Sequence, residues 1–384
     1  MKGVILVENS FVHPYMPNSV PENKKAMLDE LGINSVEDIY KSIIPDELLY
    51  KERLDIPEPI RSEYELKRHV MGILNRDITT EEYTSFLGAG CYKHQVPAIC
   101  DEINSRGEFL TAYCGDTYSD HGKMQAIFEY TSMMGELLDT DVVSYTTYDG
   151  GQAVASSLRM AVRAVREKGM AGKVILVPKT MNPEIYSQVV QYCRNVAEVR
   201  KIAYEPETGL MDLEELKEQL AKKNVAAVFF ENPTYLGNFE TRGEEIAKLA
   251  HDAGAYCVVQ TEVAALGIME SPVNQGADIV CGDIQPLGMH IQFGGGQAGF
   301  IACNQNMDLV EQFPTYMYGI TETEKEDTYG WGRAMNYRSS HGSRENAKEY
   351  FGTETGLWAI TAGVYLASMG PQGMYELGET IIQN

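Results

Sequence analysis

An α/β fold built on a mostly parallel, doubly wound sheet is what this sequence predicts, and three observations carry the prediction. From about residue 142, short apolar β runs alternate with amphipathic helical patterns of ten or more residues, the signature of strand–helix–strand units. The first of these strands runs into Gly150-Gly151, which opens a long helical pattern. With 384 residues and 44% hydrophobic side chains, the chain has enough apolar surface to cover both faces of such a sheet.

Residues 1–65 read as an arm with short helices. The apolar run over 1–8 reads as a strand, too short for the hydrophobic region of a signal peptide. His13-Pro14-Tyr15-Met16-Pro17-Asn18 is extended and proline-punctuated. Two short helices follow over 22–31 and 35–43, and Pro57 and Pro59 close the segment. Ser62 caps a further helix over 63–74. An arm of this kind has too little core to stand alone, so it is expected to pack on the main body or on a partner.

The main body is expected over 66–320. Strands are predicted over 141–148, 173–177, 198–204, 225–230, 256–260 and 277–281. Helices are predicted between them over 152–167, 183–196, 212–222 (capped by Asp212) and 242–253. Ligands of such sheets sit beyond the carboxyl ends of the strands. Residues 316–338 are aromatic, glycine-containing and read as irregular. Residues 352–369 read as a buried helix, another helical pattern runs into Asn384, and 321–384 is expected to begin a C-terminal domain.

Composition narrows the partners. Lys plus Arg number 32 against 55 Asp plus Glu, a net charge of −23. That balance argues against nucleic acid and against an anionic membrane surface, both of which call for clustered basic residues. No apolar stretch approaches the ~20 residues of a membrane span. Seven scattered cysteines, with no C-x-x-C pair, exclude a zinc knuckle and a thioredoxin-type motif. They favour free thiols in a cytoplasmic setting.

Chemistry has three candidate places and one informative gap. The turn Tyr148-Asp149-Gly150-Gly151-Gln152 offers free N–H groups at a helix start to a phosphate or carboxylate, or is a tight turn capped by Asp149. Gly294, Gly295 and Gly296, between apolar runs, allow close backbone approach to a ligand or form a flexible connection. The stretch 113–122 is dense in polar and aromatic side chains. Tyr113, Asp116 and His121 are its candidate catalytic residues, with ordinary turn formation as the alternative. The gap is basic: no Lys or Arg occurs over 249–324, so the strands there bring no lysine nucleophile of their own.

An ordered series of motifs then matches a family. Phe86-Leu87-Gly88-Ala89-Gly90-Cys91-Tyr92, Val96-Pro97-Ala98, Thr111-Ala112-Tyr113 and Gln125-Ala126-Ile127-Phe128-Glu129-Tyr130 come in order. Tyr148-Asp149-Gly150, Met160-Ala161, Gly276-Ala277-Asp278-Ile279-Val280 and Phe293-Gly294-Gly295 follow. Over about residues 11–370 the chain resembles the α subunit (subunit 1) of the two-subunit glycine decarboxylase P-protein family, the first component of the glycine cleavage system. The resemblance implies a fold-type-I pyridoxal phosphate (PLP) transferase architecture. It also implies a PLP held by a homologous, lysine-bearing partner subunit in a heterotetramer. Here Gln285-Pro286 stands where a cofactor-binding subunit carries His-Lys, and Gln260 stands where a carboxylate pairs with the pyridine nitrogen. The implied reaction removes carbon dioxide from glycine, a small amino acid, and passes the aminomethyl group to the lipoyl arm of a carrier protein. In that setting Tyr113, Asp116 and His121 are expected to contact substrate. Asp149, Gly150, Gly151 and Gly294 to Gly296 are expected to make anion or backbone contacts.

Two segments depart from the family pattern. The loop 114–122 is one residue shorter and differently composed, and residues 344–353 replace a basic segment before the last helix. The family's C-terminal domain also continues for some tens of residues past the position of Asn384. Two alternatives therefore stand beside the main expectation: a paralogue acting on another small amine or amino acid, and a non-catalytic scaffold or regulatory subunit.

Overall fold

The computed structural model describes residues 12–50, 52, 54–86, 91–110, 121–351 and 355–384, which divide into two compact units between Thr79 and Thr80. The first unit carries three helices, α1 (Pro21–Leu31), α2 (Glu37–Lys41) and α3 (Glu63–Leu74). Pro21 opens α1 and Gly32, in the left-handed region, ends it. The predicted cap of α3 is present, with Ser62 Oγ accepting the Glu65 N–H. None of the three helices buries a residue.

The second unit runs α4 (Ala98–Asn104), α5 (His121–Leu138), β1 (Val142–Val143), α6 (Gly150–Glu167), β2 (Val174–Pro178), α7 (Pro183–Cys193) and β3 (Glu198–Ile202). It continues with α8 (Leu213–Leu220), β4 (Val225–Asn232), α9 (Gly243–Asp252), β5 (Tyr256–Thr261), β6 (Ile279–Asp283) and β7 (Gly299–Cys303). The strands form one sheet in the order β1-β7-β6-β5-β4-β2-β3. The pairs from β3 to β6 are parallel, and β7 is antiparallel to both of its neighbours.

Alternation along the strands feeds two apolar layers, as a parallel sheet covered on both faces requires. Leu176, Val228, Phe230, Val259, Val280 and Phe300 pack with residues of α5, α8, α9 and the C-terminal helix. Ile175, Val177, Phe229, Val258, Ile279 and Ile301 face the other way, onto α6 and α7. Helix α6 is buried along almost its whole length, so it acts as a central rod beneath the sheet.

The structure corrects three expectations. The strand predicted over 141–148 shrinks to β1, because Ser144 donates to Ile301 and Tyr145 to Tyr316, and the ladder splits. The strand predicted over 277–281 sits two residues later as β6, which carries Asp283 to its carboxyl end. The stretch read as irregular contains an antiparallel hairpin, β8 (Met317–Glu322) with β9 (Tyr329–Ala334). Its glycines, among them the facing pair Gly319 and Gly332, mask the strand pattern. The two helices expected at the end of the chain are present, the first from Gly356 to a break at Gly370 before Pro371 and the second running on to Gln383. Among the described residues no helix is long and apolar enough to cross a membrane.

Candidate functional site

Three parallel strands end side by side. Register sets Asn232 of β4 opposite Thr261 of β5, and Gln260 of β5 opposite Cys281 of β6. Glu231, Gln260, Glu262 and Asp283 therefore gather at the carboxyl ends, where a doubly wound sheet places its ligands. Burial pushes the Glu231 carboxyl up to about 7, against hydrogen bonds from the backbone of Asn182 and Tyr235. Burial likewise lifts Glu262 to about 7, although its carboxylate accepts the Ala264 N–H and caps the short helix Val263–Gly267. Asp283 reaches about 7 for the same reason, while three backbone donors hold it back. The trio thus carries carboxyls that gain or lose a proton near neutrality.

Asp283 ties the site together. Its Oδ2 accepts the Gly150 N–H at 2.8 Å, and its Oδ1 accepts the N–H of Gln285 at 2.8 Å and of Ala298 at 3.4 Å. The fit at the start of α6 is close: a Cβ on Gly150 would lie 3.0 Å from Asp283 Cβ and 3.1 Å from its N. The anion at this helix start is therefore a carboxylate of the chain itself. Beside it, Asp149 caps α6 through Oδ1, which accepts the Gln152 N–H at 2.6 Å, and Gln188 Nε2 lies 3.4 Å from Oδ2. Gly151 leaves room for the Gln188 side chain, which a Cβ would meet at 2.6 Å.

The opposite wall comes from residues 91–95. Burial, reinforced by the charges of Glu262, Asp283 and Glu231, pushes the Tyr92 phenol up to about 12, so it stays protonated as a donor. The residue as a whole remains 44% exposed. Cys91 Sγ accepts Gln297 Nε2 at 3.2 Å, which brings the triple-glycine turn alongside. There Gly294 takes a positive φ of 88°, and Gly296 is buried close to the His290 carbonyl.

Of the residues predicted from sequence, Asp149, Gly150 and Gly151 meet Asp283 and Gln188, while Gly294, Gly295 and Gly296 form the turn preceding Gln297. Tyr113, Asp116 and the side chain of His121 lie outside the described residues; the His121 backbone opens α5. Sequence reasoning missed Tyr92, Glu231, Glu262 and Asp283 as a group. The available signal was an acidic residue at or just past the end of three successive strands. Among the described residues no group of three or more His, Cys, Asp or Glu is placed to hold a metal ion.

The family model of the glycine cleavage system P-protein matches residues 13–384. The chain belongs to the glycine cleavage system P-protein family. One relative of this P-protein chain is the "Probable glycine dehydrogenase (decarboxylating) subunit 1" of Pyrococcus horikoshii, 37% identical over 372 residues, 96% of this chain and 80% of the relative. The protein of the same description from Staphylothermus marinus is 34% identical over 380 residues, covering 96% and 78% of the two chains. A crystal structure of glycine decarboxylase (P-protein) of the glycine cleavage system in inhibitor-bound form superposes with a TM-score of 0.79. It shares 30% identity and covers 95% of this chain and 78% of its own. A sphingosine-1-phosphate lyase of Burkholderia pseudomallei, 13% identical, covers 89% and 76% with a TM-score of 0.57 and shares the fold. The expected α/β architecture with a mostly parallel sheet is thus the fold of this family.

Proposed function

We propose that this P-protein family chain is a subunit of a heteromeric glycine decarboxylase, has no PLP of its own, and lends loops to a site shared with a homologous lysine-bearing subunit. The observation that carries the reading is the Asp283 carboxylate on the Gly150 N–H, where a phosphate would otherwise sit. A bound phosphate would displace that carboxylate and face Glu231 and Glu262 across a desolvated crevice. Position 286 is proline and position 285 is a fully buried glutamine, so the turn offers no amine. Gln260 at the end of β5 supplies an amide where a charge partner for the pyridine ring would be needed. The residues present do not fit PLP.

In this reading the chain's own residues bind and orient. Tyr92 offers a protonated phenol, and the three carboxyls hold protons near neutrality and suit an amine better than an anion. We place Tyr113, Asp116 and His121 against a small amino-acid substrate, and the 294–296 turn as a backbone contact at the shared mouth. The assembly is a cytoplasmic heterotetramer that passes its product to a lipoyl carrier.

Reconstitution with a lysine-bearing homologue tests the proposal. Glycine-dependent release of carbon dioxide is expected from the complex and from neither chain alone. After borohydride reduction, the pyridoxyl label is expected on the partner only. A label on this chain, or glycine turnover by this chain alone, would sink the reading.

A further inference from the structure

Gln285 occupies the turn that follows β6 and is fully buried. Its side-chain amide spends every strong hydrogen-bonding atom on backbone. Oε1 accepts the Tyr92 N–H at 3.0 Å, while Nε2 donates to the Tyr92 carbonyl at 3.0 Å and to the Met289 carbonyl at 2.9 Å. A single side chain that takes both the N–H and the C=O of one residue reproduces a hydrogen-bonded pair of an antiparallel ladder. Position and direction of the Tyr92 backbone are fixed together. The clamp is itself anchored, since the Gln285 N–H donates to Asp283 Oδ1 and Asp283 Oδ2 holds the start of α6. One continuous chain of hydrogen bonds thus leads from the most buried helix of the sheet to residue 92. All of this occurs where residues 91–95 carry little regular structure of their own.

We propose that Gln285, anchored by Asp283, is a positioning residue that mounts the segment 91–95 and presents the Tyr92 phenol at the mouth of the crevice for the reaction. The proposal rests on the shared-site reading above. It gives the crevice a role of its own, as a rigid mount in place of a cofactor pocket. With its backbone clamped, Tyr92 still keeps 44% of its surface accessible, and the neighbouring Lys93 reaches back to the Thr80 carbonyl at 2.7 Å. Burial, reinforced by the three carboxyls facing it, keeps the Tyr92 proton on, so the mounted group is a hydrogen-bond donor.

Gln285→Met keeps the volume and removes all three side-chain bonds. In the isolated chain, amide exchange of a peptide covering residues 91–95 is expected to speed up at least tenfold, with α6 and the C-terminal helix unchanged. In the reconstituted complex, Q285M and Tyr92→Phe are each expected to lower kcat about tenfold or more with little change in KM for glycine. The double variant is expected to match the worse single one, because a phenol that is no longer held cannot be lost twice. If Q285M does not fold, Gln285→Glu keeps the acceptor, loses both donors and is read in the same way. Unchanged exchange over 91–95, or effects of Q285M and Y92F that multiply, would overturn the proposal. A wild-type complex that fails to turn over glycine sinks the shared-site reading instead, and the exchange result still decides whether the clamp exists.

Discussion

Glu231 and Glu349 are both buried carboxylates, and they behave in opposite ways. Among the described residues Glu231 makes no ion pair and accepts only from backbone N–H groups, so desolvation governs it. Its folded pKa lies above the unfolded value, so the folded state holds the extra proton. Stability from this group is full below about 4.5 and is lost as pH rises through about 7. Glu231→Gln is therefore expected to flatten that part of the pH profile and to stabilise the chain at pH 8 by on the order of 2–3 kcal/mol. Denaturant melts at pH 5.5 and 8 check it, and equal effects at both would refute it. Glu349 instead pairs with Arg159 at 3.0 Å and Arg163 at 3.3 Å and accepts Ser156 Oγ at 2.7 Å. Glu349→Ala strands two half-buried guanidinium groups and is expected to cost about 3 kcal/mol. Glu349→Gln, which retains the acceptor for Ser156, should cost less by the same melts. No single-residue feature of the sequence distinguishes these two glutamates. Their difference is made by Arg159 and Arg163, far away along the chain, and only the folded sheet and α6 bring them to Glu349.

Elements were more legible than contacts. Helices α3, α6 and α8 announce themselves through Ser62, Asp149 and Asp212, each of which accepts a first-turn N–H as a cap should. The parallel strands were visible because both faces are apolar, whereas β7 and the β8–β9 hairpin were hidden by glycines, which in β7 are needed for close packing. Gly299 at the head of β7 is one such case, lying tight against Thr147 and Asp149. The start of α6 makes a graded prediction about packing of this kind. Gly150→Ala sets a methyl against the backbone of Asp283, which has nowhere to go, and should cost about 1–3 kcal/mol. Gly151→Ala meets only the flexible end of Gln188 and should cost less. Thermal melts that rank the two the other way would show that the α6–β6 contact is softer than its geometry. The candidate site was legible as a place, through the glycine turns and the strand ends. Its composition was not, because Tyr92 reaches it by way of Gln285, from the far side of α4 and α5 in the chain.

At the scale of the molecule, charge and topology set the terms. A net charge of −23 means self-repulsion in the compact state, which mobile ions screen. The isolated chain is expected to melt at a higher temperature in 0.5 M than in 0.05 M sodium chloride. A midpoint that falls with salt would show that favourable ion pairs outweigh the excess. The lack of any Lys or Arg over 249–324 leaves the central strands without an amine of their own. One feature of the sheet bears on how the chain is made. Among the described residues strand β1 pairs only with β7, Val142 with Cys303, so the edge that β7 covers stays open until nearly all of the sheet-forming sequence has left the ribosome. Closing that long loop comes late and gains only two short ladder pairs. A nascent chain released early would expose a ready template for pairing with its neighbours, which makes synthesis, rather than the finished fold, the stage at which this protein is most open to aggregation.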